Sequence, residues 1–254
     1  KVHIGSTATP DSLFQVTGGA KFTRDVVVNG VRVGKGKGNV NTNTVVGNDA
    51  LKNMTTGEDN TMVGALAGGS ITSGEKNTAT GYRSLMSNTT GNRNSSYGLS
   101  SGTRNTTGSN HTVIGYNAMY YNTTGYSNTA VGVSALYSNT TASNLVAVGD
   151  SALYKNTGVG NTAVGSKTLY NNTTGSNNTS IGTQSLYTNS TGQANTAVGI
   201  KSLFYNTTGI CNSASGWYSL YSNSSGEQNT AMGYESLYFN TTGKYNTGVG
   251  MYAL

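Results

Sequence analysis

The sequence is poor in charge, in large apolar residues, in proline and in cysteine, and each shortage excludes a class of structure. Only 9% of the 254 residues are charged and 34% are hydrophobic, against about 25% and about 45–50% in ordinary globular domains. The single proline, Pro10, and the low charge argue against intrinsic disorder, because disordered chains are generally rich in both. The lone cysteine, Cys211, cannot form a disulfide within the chain. The fold is therefore predicted to depend on neither a large core nor disulfides.

The net charge of +6 is concentrated at one end of the chain. Residues 1–42 carry six Lys or Arg and two Asp, whereas the remainder, with nine basic and seven acidic residues, is close to neutral. Its basic residues are scattered, so no basic face could follow the phosphates of a nucleic acid. No apolar run has the length of a transmembrane helix. We therefore predict no nucleic-acid partner and no membrane insertion.

What the chain has in abundance is a repeat of seventeen residues, Asn-Thr-Ala-Val-Gly-x-x-Ser-Leu-Tyr-x-Asn-Thr-Thr-Gly-x-x. Twelve full units and a truncated thirteenth fill residues 43–254, and the unit at 145–160 is one residue short. A fixed short period predicts a solenoid, in which each unit is one coil stacked on the next. The units begin at Asn43, Asn60, Asn77, Asn94, His111, Asn128, Leu145, Asn161, Asn178, Asn195, Asn212, Asn229 and Asn246.

Comparison of the units separates fixed positions from variable ones. The fifth position is always Gly and the fifteenth is Gly except at Ala142, which predicts corners with positive φ or close approach of two backbones. The fourth position is mostly Val or Ile and the ninth mostly Leu, and we expect both to face the inside of the coil. The third and eighth positions are small, which suggests that another wall approaches them. Asn at the first and twelfth positions predicts amide hydrogen bonds between coils.

Two large apolar side chains per coil make a thin core. Small or thin cores usually need oligomerisation, so we expect another copy of the chain to pack against the small residues. At a strand spacing of about 4.8 Å, thirteen coils form a stiff rod about 60 Å long. Residues 1–42 are expected to form a separate strand-rich N-terminal module that ends in a flexible Gly/Lys-rich junction, residues 34–38.

The repeat resembles those of fibrous attachment proteins. Asn-Thr-Ala-Val-Gly at 128–132, 161–165 and 195–199 is similar to the Asn-Ser-Val-Ala-Ile-Gly repeats of YadA-like head domains in trimeric autotransporter adhesins. The longer unit with Leu-Tyr-x-Asn-Thr-Thr-Gly resembles the repeat regions of phage tail fibres and related bacterial fibre proteins, and the stretches 3–10, 13–19 and 28–34 resemble the segment that precedes such repeats. The resemblance implies an all-β fold: a parallel left-handed β-solenoid (β-roll) of 17-residue coils in a homotrimer, intertwined or side by side. The unit is longer than that of the adhesin heads, so the corners are expected to differ.

No residues in the sequence have the spacing of a catalytic or metal site. His3 and His111 have no cysteine or carboxylate at metal-ligand spacing. The run from Gly34 to Gly38 lacks the Walker spacing of a phosphate-binding loop, and the Gly-Gly-x-Gly-x-Asp calcium repeat is absent. We predict that the chain is not an enzyme and that it uses no cofactor or metal.

The tenth position is aromatic in eight consecutive units. A ladder of stacked rings that stiffens the rod is one interpretation, and a stripe that stacks on sugar rings is the other; the uniformity of the row favours the ladder. At variable positions, Trp217, Tyr218, Tyr205 and Phe239 are the candidates for ligand contact, with incidental exposure or packing against a neighbouring chain as the alternative. The predicted ladder consists of Tyr120, Tyr137, Tyr154, Tyr170, Tyr187, Phe204, Tyr221 and Tyr238.

These features predict a structural role on a virion or cell surface. The first hypothesis is the rod of a phage tail fibre, joined to further fibre domains or fibre proteins, which presents a receptor-binding tip. The alternative is an extracellular bacterial adhesin, also trimeric, whose solenoid itself binds the host or a cell-surface glycan. A third hypothesis, from a different class, is an ice-binding solenoid, suggested by Thr-Thr pairs such as 173–174. Adjacent threonines on a strand point to opposite faces, which speaks against it.

Overall fold

The computed structural model describes residues 24–38 and 40–254, and within them one sheet of fifteen short strands forms, with no helix. Thirteen of the strands come from successive repeat units and pair in parallel in chain order. This confirms an all-β, parallel β-solenoid of 17-residue coils. The strands are β1 (Val26–Val28), β2 (Val31–Gly34), β3 (Thr44–Gly47), β4 (Thr61–Val63), β5 (Thr78–Thr80), β6 (Ser95–Tyr97), β7 (Thr112–Ile114), β8 (Thr129–Val131), β9 (Val146–Val148), β10 (Thr162–Val164), β11 (Thr179–Ile181), β12 (Thr196–Val198), β13 (Ser213–Ser215), β14 (Thr230–Met232) and β15 (Thr247–Val249).

The register of the sheet equals the repeat. Ala197 on β12 pairs with Ala214 on β13, the same position one unit later. The Thr-Ala-Val segments favour strands because β-branched side chains suit a pleated surface. Outside the strands, backbone hydrogen bonds also join neighbouring coils, as between the Leu203 N–H and the Ser219 carbonyl at 3.0 Å. The backbone of each coil is thus tied to the next around most of its circumference.

The segment before the repeats extends the same sheet. Strands β1 and β2 form an antiparallel hairpin, and β2 pairs antiparallel with β3. The Asp25 carboxylate accepts hydrogen bonds from the backbone N–H groups of Lys35 at 2.7 Å and Gly36 at 3.0 Å, and it pairs with Arg32 at 2.9 Å. A Cβ on Gly36 would lie 3.2 Å from the Leu51 Cβ, so the Gly/Lys-rich run covers the first coil. The predictions for residues 1–23 and 39 lie outside the described residues.

The core contains the third, eighth and ninth positions of the twelve full units. Leu at the ninth position is buried as predicted, for example Leu186 and Leu203. The prediction that the fourth position faces inward is wrong, because Ile181 is 42% exposed whereas Ser180 beside it is fully buried. The prediction that the third and eighth positions form an outer wall for another chain is wrong for the same reason. They face the interior of their own coil.

The narrow interior explains why small residues occupy it. A Cβ built on Gly248, at a third position, would lie 2.9 Å from the Leu237 Cγ, so the leucine below already fills the space. In the coil of Met62, which is fully buried, the ninth position is Gly68, and a Cβ on that glycine would lie 2.6 Å from the Met62 Sδ. The large third-position side chain therefore leaves no room for a leucine at the ninth position of that coil.

Two internal columns of asparagine run along the solenoid. At the first position, the Asn195 Oδ1 accepts from the N–H and the Nδ2 of Asn212, both at 3.0 Å. At the twelfth position, the Asn206 Nδ2 donates to the Asn189 Oδ1 at 2.8 Å. These bonds confirm the predicted amide ladders, and they satisfy polar groups that no solvent reaches.

The two repeated glycines have different causes. Gly132, at a fifth position, has φ of +133°, and a Cβ there would lie 2.6 Å from the Gly149 carbonyl carbon. Gly74, at a fifteenth position, has no such φ, but a Cβ there would lie 2.6 Å from the Gly91 carbonyl oxygen. At the fifth position glycine is required both by the positive φ and by the close approach of the neighbouring backbone. At the fifteenth position it is required only by the close approach.

The unit at 145–160 interrupts both asparagine columns. Leu145 occupies a first position and is buried, so it offers no amide to the next coil. In the shortened loop the Asn156 Nδ2 donates to the Gly158 carbonyl at 2.7 Å, and the buried Oδ1 of Asn139 has no hydrogen-bond partner. The strand register is nevertheless unchanged, because Ala147 still pairs with Ala163.

Candidate binding surfaces

Within residues 24–38 and 40–254, no group of three or more His, Cys, Asp or Glu could hold a metal ion. The same part of the chain contains no helix that could cross a membrane. The features that remain are two surfaces of the solenoid: a column of aromatic rings and an outward strip on the sheet.

The eight aromatic residues at the tenth position form one stack. Consecutive ring centroids lie 4.9–5.7 Å apart, with interplanar angles of 5–21°. All eight rings are partly buried, and each of the six inner rings has a stacked neighbour above and below. Offset stacking at these distances is favourable by about 0.5–1.5 kcal/mol per pair beyond area burial. This geometry favours the ladder interpretation, although its role in stability stays a prediction.

Cations lie beside the stack at several coils. The Arg104 guanidinium carbon is 5.8 Å from the centroid of Tyr120, and the Lys155 Nζ is 5.9 Å from that of Tyr170. Burial raises the pKa of Tyr221 to about 12, and its hydrogen bond to Tyr205 adds to the effect. The cations lie over the ring faces, where the negative quadrupole of an aromatic ring attracts them.

The four predicted ligand-contact residues belong to one aromatic cluster. Trp217 stacks on Tyr218 with centroids 5.4 Å apart, and Tyr218 meets Tyr221 of the ladder edge-on at 5.1 Å. Tyr205 meets Tyr221 from the other side at 5.1 Å. The ladder thus joins the four residues, with Phe239 against Tyr238 at 4.8 Å. We call Tyr205, Trp217, Tyr218, Tyr234 and Phe239 the aromatic cluster.

Exposure differs among the members of this cluster. Trp217 is 49% exposed and Tyr205 48%, whereas Phe239 is 83% exposed. Among the described aromatic rings, Phe239 packs on Tyr238 alone, and a cleft of about 450 Å³ lies between Phe239 and Tyr252. Trp217 and Tyr205 each contact two rings, so they are the better candidates.

Sequence reasoning missed Tyr234. It lies edge-on to Trp217 at 5.8 Å, one coil later and at the same repeat position. A hydrogen bond to Glu235 raises the pKa of Tyr234 to about 12. The sequence could have predicted this contact, because Tyr234 and Trp217 occupy the same sixth position in consecutive units, seventeen residues apart.

Comparisons with known proteins add nothing to this geometry. No family model, curated protein or solved structure matches the chain. Any function must therefore be argued from the surfaces themselves.

The second surface is the outer face of the parallel sheet. We define the outward strip as the second and fourth positions of the thirteen units, whose side chains share one face of the strands. The fourth position is apolar in most units, and seven of these residues are 36–66% exposed. The fourth-position residues are Val46, Val63, Thr80, Tyr97, Ile114, Val131, Val148, Val164, Ile181, Val198, Ser215, Met232 and Val249.

The Thr-Thr pairs lie away from this face, and in most of them one hydroxyl is hydrogen-bonded to the next coil. At the thirteenth position the Thr173 Oγ1 donates to the Ser190 carbonyl at 2.9 Å, and the Thr207 Oγ1 donates to the Ser224 carbonyl at 3.0 Å. These hydroxyls stabilise the coil-to-coil contact. They are consequently less free to order water.

His111 replaces asparagine in the first-position column. Its Nδ1 accepts from the Asn128 N–H at 3.2 Å, which requires that nitrogen to be unprotonated. Burial lowers the pKa of His111 to about 4, although a hydrogen bond with the backbone of Gly125 opposes the effect. The imidazole therefore acts as a neutral structural substitute for an amide.

Proposed function

We propose that this chain is the rod segment of a homotrimeric attachment fibre, best matched by a phage tail fibre that presents a receptor-binding tip outside this chain. The observation that carries the proposal is the unbroken stack of coils, hydrogen-bonded from each coil to the next along residues 43–254. A stack of this kind resists bending, because every coil is tied to its neighbours around its circumference. Such a rod would act on a virion surface or in the extracellular space.

The trimer is supported by the small core. Most coils bury only one or two leucine or methionine side chains with a few small residues, and the coil at 94–110 buries none, so a single solenoid has little apolar area for its length. Further copies of the chain would supply the missing burial. The sequence resemblance to trimeric fibres points the same way.

The test is the mass and shape of the purified full chain. Light scattering should give three times 26.2 kDa, and negative-stain images should show straight rods whose repeat region is about 60 Å long. A single-chain mass at micromolar concentration would contradict the proposal. Neighbouring genes then separate the two biological settings: virion genes favour the tail fibre, and a membrane-anchor domain in the same reading frame favours the adhesin.

A second candidate function is glycan binding by the solenoid itself, and the aromatic cluster is the observation that favours it. Trp217 and Tyr205 are exposed rings held in place by the ladder. Such rings bind sugar faces with little loss of rotamer entropy. Trp217 is the only tryptophan, so its fluorescence reports on this site alone.

A glycan array probed with the full chain tests this function. Trp217→Ala should abolish retention, whereas Tyr116→Ala, at the same repeat position in an earlier coil, should not. The retained glycan should also shift the fluorescence of Trp217. No retention above background, or equal retention by both variants, would contradict it.

The ice-binding hypothesis retains one supporting feature, the column of outward threonines at the second position, such as Thr162, Thr179 and Thr196. The apolar fourth position beside it makes the face less suited to ordering water. Absence of thermal hysteresis in a concentrated sample would exclude the hypothesis.

A further inference from the structure

The outward strip contains no charged residue at any of its thirteen levels, although solvent reaches it. Every charge of the repeats stands at the sixth, seventh, tenth, eleventh, sixteenth or seventeenth position. Exposed, uncharged and apolar surfaces of this length mark interaction sites on soluble proteins.

The partner of the strip must itself be periodic. The apolar side chain recurs once per coil, at Val131, Val148 and Val164 and onward to Val198. A partner that covers every level therefore needs apolar groups at the strand spacing of about 4.8 Å over the same length. A second copy of this chain has the same spacing and the same length, because it carries the same repeat.

We propose that the outward strip is the contact surface between copies of this chain. The copies lie parallel to one another about an axis along the rod. The strip therefore joins them, rather than the small residues of the third and eighth positions. This inference rests on the proposed trimeric fibre and names the surface that builds it. In such an assembly each coil lies level with the same coil of its partners, because rotation about the rod axis changes no heights.

The available area agrees with this arrangement. Thirteen levels make the strip about 58 Å long, and with a width of about 10 Å each chain offers about 600 Å². Two such surfaces bury about 1,200 Å², the lower bound of stable protein interfaces. Exposed apolar residues at the sixth position, such as Val133 and Ile200, flank the strip and would add to that area.

Charge placed on the strip tests the proposal. The variant with Ile181→Lys and Val198→Lys puts two cations on exposed positions of the strip. The control carries Asn177→Lys and Ala194→Lys, at the seventeenth position, which already holds Lys76 and Arg93 in other units. Both variants change the net charge equally. By light scattering, the strip variant should fall to the mass of one chain, and the control should keep the mass of the natural chain.

Cross-linking provides a measurement that does not depend on added charge. In a Cys211→Ser background, Val198→Cys should cross-link to itself between copies with a short bis-maleimide, and Val63→Cys should do the same. Ala194→Cys, on the loop side, should not. In an antiparallel pair the tenth coil would meet the fourth, so neither cysteine of the strip would find its counterpart.

The outcomes separate this inference from the proposed function. A natural chain with the mass of one copy overturns both. A natural chain that is trimeric, with a strip variant that stays trimeric and strip cysteines that do not cross-link, overturns the strip alone and leaves the fibre rod standing. Loss of assembly in the strip variant only, together with cross-links at Val198→Cys and Val63→Cys, supports it.

Discussion

The first-position amide of Asn195 should be one of the costliest side chains to remove. Its Oδ1 accepts from the N–H and the Nδ2 of Asn212, and its Nδ2 donates to the Gly209 carbonyl at 2.8 Å and to the Asn178 Oδ1 at 3.1 Å. The residue is fully buried, so no water replaces these partners. At about 1 kcal/mol for each of the four bonds, Asn195→Ala should lower the free energy of unfolding by about 4 kcal/mol.

Asn171→Ala is the matched control, because it removes the same amide from a half-buried eleventh position. Native-state hydrogen exchange is the assay, since it does not require reversible unfolding. Coils contact only their neighbours, so protection should fall around residues 178–212 and remain unchanged in the first coils. If Asn195→Ala exchanges like Asn171→Ala, or if all coils lose protection equally, the ladder does not stabilise the stack locally and the reasoning is refuted.

Three further changes test other contacts. Since burial lowers the pKa of His111 from an ordinary 6.5 to about 4 in the folded chain, stability should be complete above pH 6.5 and fall by about 3 kcal/mol towards pH 4, and His111→Asn should flatten this pH dependence. Gly132→Ala should cost about 1–3 kcal/mol more than Gly250→Ala in urea unfolding, because Gly250 has similar φ with nothing within 4 Å. Tyr154→Ala with Tyr187→Ala should lower the melting temperature by removing about 1–3 kcal/mol per ring and leave glycan retention unchanged.

Each of these has a result that would contradict it. A pH profile that is identical in the natural chain and in His111→Asn would show that the histidine is not the titrating group. Equal costs at Gly132 and Gly250 would mean that φ alone decides the glycine. Normal melting with lost retention in the tyrosine variant would make the ladder a binding stripe.

The period, the buried leucines and the asparagine ladders were predictable, because each is a fixed residue type at a fixed spacing. Asn189 and Asn206 align only if the coil length equals the repeat length. The two sides of the strand were assigned wrongly, because the larger apolar residue was taken as the core residue. Alternation alone does not show which side of a strand faces the interior. From the sequence, either Ala197 or Val198 could have been the buried residue.

The volume available inside the coil decides which side of the strand is buried, and the sequence of a single unit does not reveal that volume. It is visible only in exceptions such as Met62 with Gly68, where a large third position coincides with a missing leucine. For the aromatic cluster, the sequence predicted that Trp217 and Tyr205 are exposed. It could not predict that Tyr221 joins them, because that contact depends on how the corner between the seventh and tenth positions folds.

The short unit at 145–160 shows how such a chain can change its length. One residue is missing from its loop and a leucine replaces an amide, yet Val146 still pairs with Thr162 and the coils above are in register. Each coil depends on its two neighbours, so gain or loss of a whole unit leaves every other coil with equivalent surroundings. The number of units then sets the length in steps of about 4.8 Å. Duplication or deletion of whole units within the gene would therefore lengthen or shorten the solenoid without changing the packing of the remaining coils.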